Sequence, residues 1–118
     1  MSDCIFCMIA NGDIPARVVL DEGDIMAFDD IAPQGPVHTL IIPKHHYAHM
    51  GDDVPSGMMA ALFSAVPRIA AMKGIAESGY RVIVNNGADA AQTVAHLHVH
   101  VIGGKPMAHG MVRFESGE

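Results

Sequence analysis

The sequence is short of positive charge and of long apolar runs. Lysine and arginine together number seven against 13 aspartate and glutamate residues, which gives a formal net charge of −6. Proteins that bind the phosphate backbone of nucleic acids carry clustered cations, whereas these seven are scattered. No apolar stretch approaches the roughly 18 residues needed to cross a bilayer, and no basic segment leads into an apolar run at the N-terminus. We therefore expect a cytoplasmic protein whose partners include neither a nucleic acid polymer nor a membrane.

Cysteine is scarce as well, because the sequence contains only Cys4 and Cys7. Thiols in the cytoplasm stay reduced, so this pair favours metal binding or redox chemistry over a structural disulfide. Two small buried thiols are the alternative, since free cysteine is among the most buried residue types.

The 118 residues contain no linker, repeat or low-complexity segment, and half of them are hydrophobic. We expect one domain over residues 1–118. Apolar periodicity and turn residues predict a short helix with Asp3 as its N-cap, one long helix and five strands. The helices are expected at residues 3–10 and 54–78, and the strands at 17–20, 25–28, 37–42, 80–84 and 96–102. This order indicates an α+β domain with an antiparallel sheet.

The long helix carries two apolar stripes instead of one. The stripe with the spacing of a core face consists of Met58, Leu62, Ala65, Ile69, Met72 and Ala76. The stripe one step round the helix consists of Met59, Phe63, Val66 and Ala70. A small sheet covers one stripe, so the second is covered either by a partner chain or by burial within a monomer.

Three histidines alternate with apolar residues near the end of the sequence. His96, His98 and His100 occupy every second position, with leucine or valine between them. Successive side chains of a strand point to opposite faces, so the three imidazoles are expected on one surface. Such a row serves catalysis or metal binding, and solvated polar residues are the alternative. Asn85 and Thr93 precede it and offer donors that suit a phosphate.

The run His96-Leu97-His98-Val99-His100-Val101-Ile102 resembles the histidine-triad (HIT) family, whose mark is His-x-His-x-His with apolar residues between. Gln92-Thr93-Val94 before the run and Gly103-Gly104-Lys105-Pro106-Met107 after it are most similar to the Hint branch, the nucleoside phosphoramidases. The resemblance implies a HIT-like fold, with a five-stranded antiparallel sheet, one long helix and one short helix. It also implies a homodimer in which the sheet continues across the interface.

The resemblance further implies what each site residue does. His98 would attack the α-phosphate of a purine nucleotide and become nucleotidylated before water releases the nucleoside monophosphate. His100 would contact the scissile phosphate and leaving group, His96 would orient its neighbour, and His38 would support the triad. No catalytic cofactor is expected. The nucleotide-binding residues implied are Ile5, Phe6, Ile9, Phe28 and Ile31 around the purine, Asp30 at the ribose, and Asn85, Gln92 and Thr93 beside them.

Several of these residues also have a purely structural interpretation. Phe6 and Phe28 suit a core, and Asp30 before an Ala-Pro loop suits a turn cap. The chain also departs from the family in two places. Ala90-Ala91 stand where the family usually has glycine before Gln-Ser/Thr, and the tail from Met107 to Gly110 lacks the tryptophan-and-proline ending of some Hint proteins.

A structural zinc site is the second expectation from the resemblance. Some bacterial HIT proteins hold zinc with a Cys-x-x-Cys pair, a histidine shortly after the third strand and the first triad histidine. In this sequence the pattern selects Cys4, Cys7, His46 and His96, with His45 or His49 as alternatives to His46. Four cysteine and histidine ligands are typical of structural zinc.

The leading interpretation is a dimeric purine nucleoside phosphoramidase. A dinucleoside polyphosphate hydrolase would use the same residues on a P–O–P bond. A nucleotide-binding or zinc-binding interaction module would use the same pocket without turnover. Hydrolysis with all three triad histidines on one metal ion is disfavoured, because it leaves Asn85 and Thr93 without a part.

Overall fold

A computed structural model describes residues 3–108, so the tail beyond Ala108 lies outside the described residues. The chain forms a five-stranded sheet in the order β1-β2-β3-β5-β4, in which every neighbouring pair is antiparallel. Its elements are α1 (Ile5–Ala10), β1 (Val18–Glu22), β2 (Ile25–Asp29), β3 (Val37–Pro43), α2 (Ser56–Met72), β4 (Tyr80–Ile83) and β5 (Val99–Gly103), with a short 3-10 turn at Ala88–Ala90. The predicted α+β fold with one long helix, one short helix and an antiparallel sheet is confirmed. No helix within residues 3–108 is long and apolar enough to cross a membrane.

Each face of the sheet has its own apolar cluster. On one face α2 packs over Ile41, Leu97, Val99 and Val101, all at most 1 % exposed. On the other face α1 packs over the opposite side of β2 and β3, where the cluster consists of Phe6, Ile9, Met26, Phe28, Leu40 and Ile42. Since side chains alternate along a strand, the histidines between the α2-facing residues are directed to the α1 face. We call this the triad face.

Both helices differ from their predicted bounds. The N-cap of α1 is Cys4 and not Asp3, because Cys4 has an extended backbone and its Sγ accepts the Cys7 N–H at 3.4 Å. Helix α2 begins after Pro55, and it ends at Met72 instead of Ser78. Gly74 follows with a φ of 73°, a left-handed conformation that glycine adopts without a Cβ clash. The predicted helix is therefore six residues too long at its C-terminal end, since it was expected to reach Ser78 and ends at Met72.

The assignment of the two stripes on α2 was wrong in part. The buried residues come from both stripes and form one broad face: Leu62, Ala65, Val66, Ile69 and Ala70. Phe63 and Met72 are 37 % and 57 % exposed, and Val82 on β4 is 38 % exposed. Strand β4 is at the edge of the sheet and pairs only with β5 among the described residues. Apolar side chains on both α2 and β4 are thus left exposed within the described chain.

Strand β5 begins at Val99, so His96 and His98 precede the strand that was predicted to contain them. The cause lies on β3, where Ile41 pairs with Val99. Two residues further along the same register, Pro43 would lie opposite Leu97. Proline has no N–H to donate, so the ladder stops there. The Leu97 N–H instead donates to the Tyr47 carbonyl at 2.7 Å. The alternation of side chains nevertheless continues through this extended segment.

Ala91 adopts a left-handed backbone, with φ 58° and ψ 40°. This conformation costs a residue with a Cβ roughly 1–2 kcal/mol, and glycine avoids that cost. We expect Ala91→Gly to raise the free energy of unfolding by about 1 kcal/mol, measured by urea denaturation. Ala90→Gly is the matched control, because Ala90 lies in the right-handed 3-10 turn and its replacement should lower stability. Equal shifts in the two variants would contradict the assignment of strain to Ala91.

Candidate functional site

A cavity of about 250 Å³ lies between α1 and the triad face of β2 and β3. Nine predicted site residues line it: Ile5, Phe6, Ile9, Phe28, Asp30, Ile31, Thr93, His98 and His100. Its lining residues are mostly apolar and include Asp29 and Asp30. The Asp29 carboxylate itself accepts from Thr39 and pairs with Lys73. Ile31 is 96 % exposed, although large apolar side chains are usually buried. Apolar walls with a few polar groups are typical of small-molecule sites.

The ring of His98 is fixed by a backbone carbonyl. Its Nδ1 lies 2.7 Å from the carbonyl oxygen of His96, and a carbonyl only accepts, so His98 Nδ1–H is the donor. In the neutral ring the lone pair therefore lies on Nε2. Phe6 packs edge-on against the same ring at a centroid distance of 5.1 Å, and His98 is 4 % exposed. The ring is held in one orientation with a nucleophilic nitrogen left available.

A chain of hydrogen bonds also fixes the tautomers of His38 and His100. The Gln34 backbone N–H donates to His38 Nδ1 at 3.0 Å, so the proton of neutral His38 is on Nε2. That Nε2–H donates to His100 Nδ1 at 2.9 Å. Neutral His100 consequently carries its proton on Nε2. Of the two imidazoles that line the cavity, His98 thus offers a lone pair on Nε2 and His100 offers an N–H on Nε2.

Burial keeps the rings of His38 and His100 neutral. It lowers the pKa of His100 to about 4, and the neighbouring rings of His98 and His38 add to the effect. Burial also lowers the pKa of His38, against a smaller opposing effect of the Asp30 carboxylate. That carboxylate is 3.6 Å from His38 Nε2, and its Oδ1 accepts the Ala32 N–H at 2.9 Å. Asp30 therefore caps a turn and lines the cavity at the same time.

Four predicted metal ligands come together beside the triad. The ligand atoms of Cys4, Cys7, His46 and His96 all lie within 4.8 Å of one another. Cys4 Sγ is 3.3 Å from His96 Nδ1, and Cys7 Sγ is 3.2 Å from His46 Nδ1. Zinc bonds of 2.0–2.3 Å in a tetrahedron place sulfur and nitrogen ligands about 3.5 Å apart. The spacing of this cluster fits such an ion.

The hydrogen bonds around the cluster also fit a metal. His96 Nε2 donates to the Pro43 carbonyl at 2.8 Å, which leaves Nδ1 of the neutral ring unprotonated and directed to the thiols. The ring of His45 instead packs on Tyr47, and His49 Nδ1 accepts the Gly51 N–H. Among the three neighbouring histidines, the structure places His46 in the cluster. Metal binding itself stays a prediction.

Comparison with known proteins agrees with this geometry. The HIT domain family model matches residues 11–107. The chain belongs to the HIT domain family. It is 44 % identical over 104 residues to a 13.2 kDa HIT-like protein of Azospirillum brasilense, covering 86 % of this chain and 85 % of that protein.

Solved structures of HIT proteins share the fold. A HIT family hydrolase from Legionella pneumophila has a TM-score of 0.86 and 42 % identity, covering 90 % of this chain and 96 % of that one. A histidine triad nucleotide-binding protein from Candida albicans has a TM-score of 0.80 and 30 % identity, covering 93 % and 87 %. The predicted family is confirmed, and its solved members include proteins described as a hydrolase and as a nucleotide-binding protein.

In this HIT protein, the three residues predicted before the triad differ in whether they line the cavity. Thr93 lines the cavity, whereas Asn85 and Gln92 are not among its lining residues. The Gln92 side chain accepts the Gly87 N–H at 2.8 Å and donates to the carbonyls of Ala48 and Val94. Gln92 thus holds the loop that leads into the triad. Contact of Asn85 and Gln92 with a nucleotide stays a prediction.

Sequence analysis missed part of the cavity wall. Ile14, Pro15 and Ala16 line the cavity after the turn that ends α1, and Leu40 lines it from β3. In the sequence, Pro15 indicates only an extended connection, and no local pattern shows which element that connection faces. Leu40 was detectable in principle, because it lies two residues from His38 and so shares its face.

Proposed function

We propose that this HIT protein hydrolyses the P–N bond of purine nucleoside phosphoramidates, as the Hint branch does. The observation that carries the proposal is the pair of fixed tautomers in one cavity. His98 has its Nε2 lone pair free because Nδ1–H donates to a carbonyl, and His100 has an Nε2–H because Nδ1 accepts from His38. The apolar wall formed by Phe6, Phe28 and Ile31 would receive the purine, and Asp30 would accept from the ribose hydroxyls.

The first step forms a covalent intermediate. The substrate nitrogen takes a proton from solvent, which turns it into a leaving amine. His98 Nε2 uses its lone pair to bond the α-phosphorus, and the P–N bond breaks with its electron pair leaving on the amine. The His100 Nε2–H donates to a phosphate oxygen and stabilises the charge there without adding a net charge to the site.

The second step releases the product. A water oxygen bonds the phosphorus while the bond to His98 Nε2 breaks and returns its electron pair to the ring. The proton lost by the water goes to solvent, which replaces the proton that the substrate nitrogen took up in the first step. The sum is one phosphoramidate plus one water giving one amine and one nucleoside monophosphate, with the histidines restored. The similarity to a HIT family hydrolase and to a nucleotide-binding HIT protein supports this assignment.

The proposal is tested by looking for the intermediate directly. The pure protein is mixed with adenosine phosphoramidate, with and without a chelator, quenched within the first turnovers and analysed by intact mass. We expect an adduct of one AMP and chelator-insensitive release of AMP. Faster cleavage of a diadenosine polyphosphate would favour the P–O–P alternative. Nucleotide binding without adduct or release would indicate a binding module instead.

We also propose that the protein is a homodimer whose sheet continues through β4. The support is the edge position of β4 together with the exposed apolar side chains of Phe63, Met72 and Val82. An unpaired strand edge beside exposed apolar residues favours pairing with another copy. Sedimentation velocity at micromolar concentration should give twice the 12.5 kDa chain mass, and a monomer would contradict the proposal.

The third part of the proposal is a structural zinc ion held by Cys4, Cys7, His46 and His96. Its support is the ligand spacing and the His96–Pro43 hydrogen bond described above. When bound, zinc would join α1 to the segments that follow β3 and precede β5, and so stabilise the fold. Each of the two catalytic steps proceeds through the chain's own histidines.

A further inference from the structure

A second groove lies on the triad face, beyond His100 from the nucleotide cavity. It has a volume of about 350 Å³, and its walls include Gln34, Arg81, Ile83, Ile102, Lys105 and Met107. The nucleotide cavity lies over β2 and β3, whereas this groove lies over β5 and β4. Because the sheet order is β1-β2-β3-β5-β4, the two spaces flank His100 on opposite sides. We call the second space the β4 groove.

Strand register places the walls of the β4 groove next to the catalytic row. Ile83 pairs with His100, and Arg81 pairs with Ile102. Paired residues of antiparallel strands have Cβ atoms roughly 5 Å apart on the same face. Arg81 and Ile83 therefore share the triad face with His100 and Ile102. Gln34 also joins the two regions, because its backbone N–H donates to His38 and the residue lines the groove.

The β4 groove is cationic, although the protein is acidic overall. Arg81 and Lys105 line it, and none of its described lining residues is acidic. Three other cations, Lys44, Arg68 and Lys73, form ion pairs with carboxylates. Arg81 and Lys105 form none within residues 3–108, in a chain with 13 acidic residues. The one described partner of the Arg81 guanidinium is the Ala108 carbonyl at 2.9 Å, and a guanidinium has five N–H donors.

The direction of the reaction leads into this groove. In phosphoryl transfer the attacking and leaving atoms lie roughly in line on opposite sides of the phosphorus. The nucleophile proposed above is His98, which lies just before β5, and the chain continues from it past His100 to Ile102 within β5. A group leaving away from His98 on the triad face therefore moves toward Ile102 and its neighbour Arg81.

We propose that the β4 groove is a leaving-group subsite in which Arg81, with Lys105, binds an anionic group carried by the leaving amine. This inference rests on the proposed phosphoramidase function and names its substrate class more closely. The anionic group is a carboxylate or a phosphate, since a guanidinium binds both in the same forked geometry. Arg81 is thus a specificity-determining residue.

The test compares two adenosine phosphoramidates that differ in one charge. One carries glycine as the leaving amine and the other carries glycinamide. The ratio of their kcat/KM values is measured in the wild type and in Arg81→Met, so that intrinsic differences between the amines cancel. A lost charge-assisted hydrogen bond should lower the ratio about tenfold. Arg81→Lys should restore part of the preference, and Lys105→Met should produce a smaller loss.

Arg68→Met is the matched control for overall charge. Arg68 lies on α2, across the sheet from the triad face, and pairs with Glu22. Its replacement removes the same charge and should leave the ratio unchanged. A second pair, 2-aminoethyl phosphate against ethanolamine as leaving amines, distinguishes phosphate from carboxylate. If Arg81 serves only to hold Ala108, its replacement will change both members of each pair equally, and that result overturns the subsite.

Two controls distinguish failure of the subsite proposal from failure of the proposed phosphoramidase function. Unsubstituted adenosine phosphoramidate, whose leaving group is ammonia, reports the proposed function alone in the wild type. If it is not cleaved, the subsite is tested by calorimetry, comparing Kd values of the glycine and glycinamide compounds for His98→Ala and for His98→Ala with Arg81→Met. A roughly tenfold weaker preference in the double variant supports the subsite, and equal preferences overturn it.

Discussion

Replacing His98 with alanine should abolish turnover of adenosine phosphoramidate, with a fall in kcat/KM of roughly 10⁴-fold or more. The reason is that His98 Nε2 is the only protein atom that bonds the phosphorus in the proposed first step. His100 cannot take over this step, because its Nδ1 accepts from His38 and its neutral ring therefore carries the proton on Nε2. Initial rates of AMP release and the intact mass of the quenched protein measure the loss.

Two further variants separate chemistry from folding. His98→Asn keeps a side-chain donor that can reach the His96 carbonyl, which accepts from His98 at 2.7 Å. It should be as inactive as His98→Ala while retaining more stability. His45→Ala removes an exposed histidine whose ring packs on Tyr47 outside the cavity, and it should retain activity. An AMP adduct on His98→Ala, or a rate within tenfold of the wild type, would rule out covalent catalysis by His98.

The local sequence pattern was sufficient where one face of a strand explains the observation. His96, His98 and His100 alternate with Leu97, Val99 and Val101, and the apolar residues do enter the α2 core. The local pattern was insufficient to predict the ends of β5 and α2. Strand β5 starts later than predicted because Pro43 on β3 cannot continue the ladder, and α2 ends early at a left-handed Gly74. The periodicity of apolar residues along the sequence reveals neither of these two causes.

The chemistry of the site shows the same division. The identities of the reactive side chains were evident in the sequence, but their tautomers are set by backbone groups from other segments. The Gln34 N–H fixes His38, and the His96 carbonyl fixes His98. The position of Arg81 beside the triad follows from the pairing of β4 with β5, which local periodicity does not encode. Backbone partners distant in sequence therefore decide which imidazole is a nucleophile and which is a donor.

Removal of zinc should destabilise the protein far more than it slows catalysis by the folded protein. A ligand present at a thousandfold excess over its Kd stabilises by about 4 kcal/mol, which for a domain of this size corresponds to roughly 15 °C in Tm. Zinc removal should lower the stability of the fold because the four ligands come from the N-terminal end of the chain around α1 and from two distant segments. The catalytic rings His98 and His100 lie outside the cluster. Tm and zinc content are measured before and after dialysis against a chelator.

Adjacent histidines provide a matched pair for this test. His46→Ala should lose zinc and lower Tm by a similar amount, because His46 Nδ1 lies 3.2 Å from Cys7 Sγ. His45→Ala should keep zinc at one ion per chain, since its ring packs on Tyr47 instead. Cys7→Ser should match His46→Ala, because serine is a poor zinc ligand. If metal-free protein melts at the same temperature as the native protein, the cluster is a set of thiols and imidazoles that stabilises the fold without an ion.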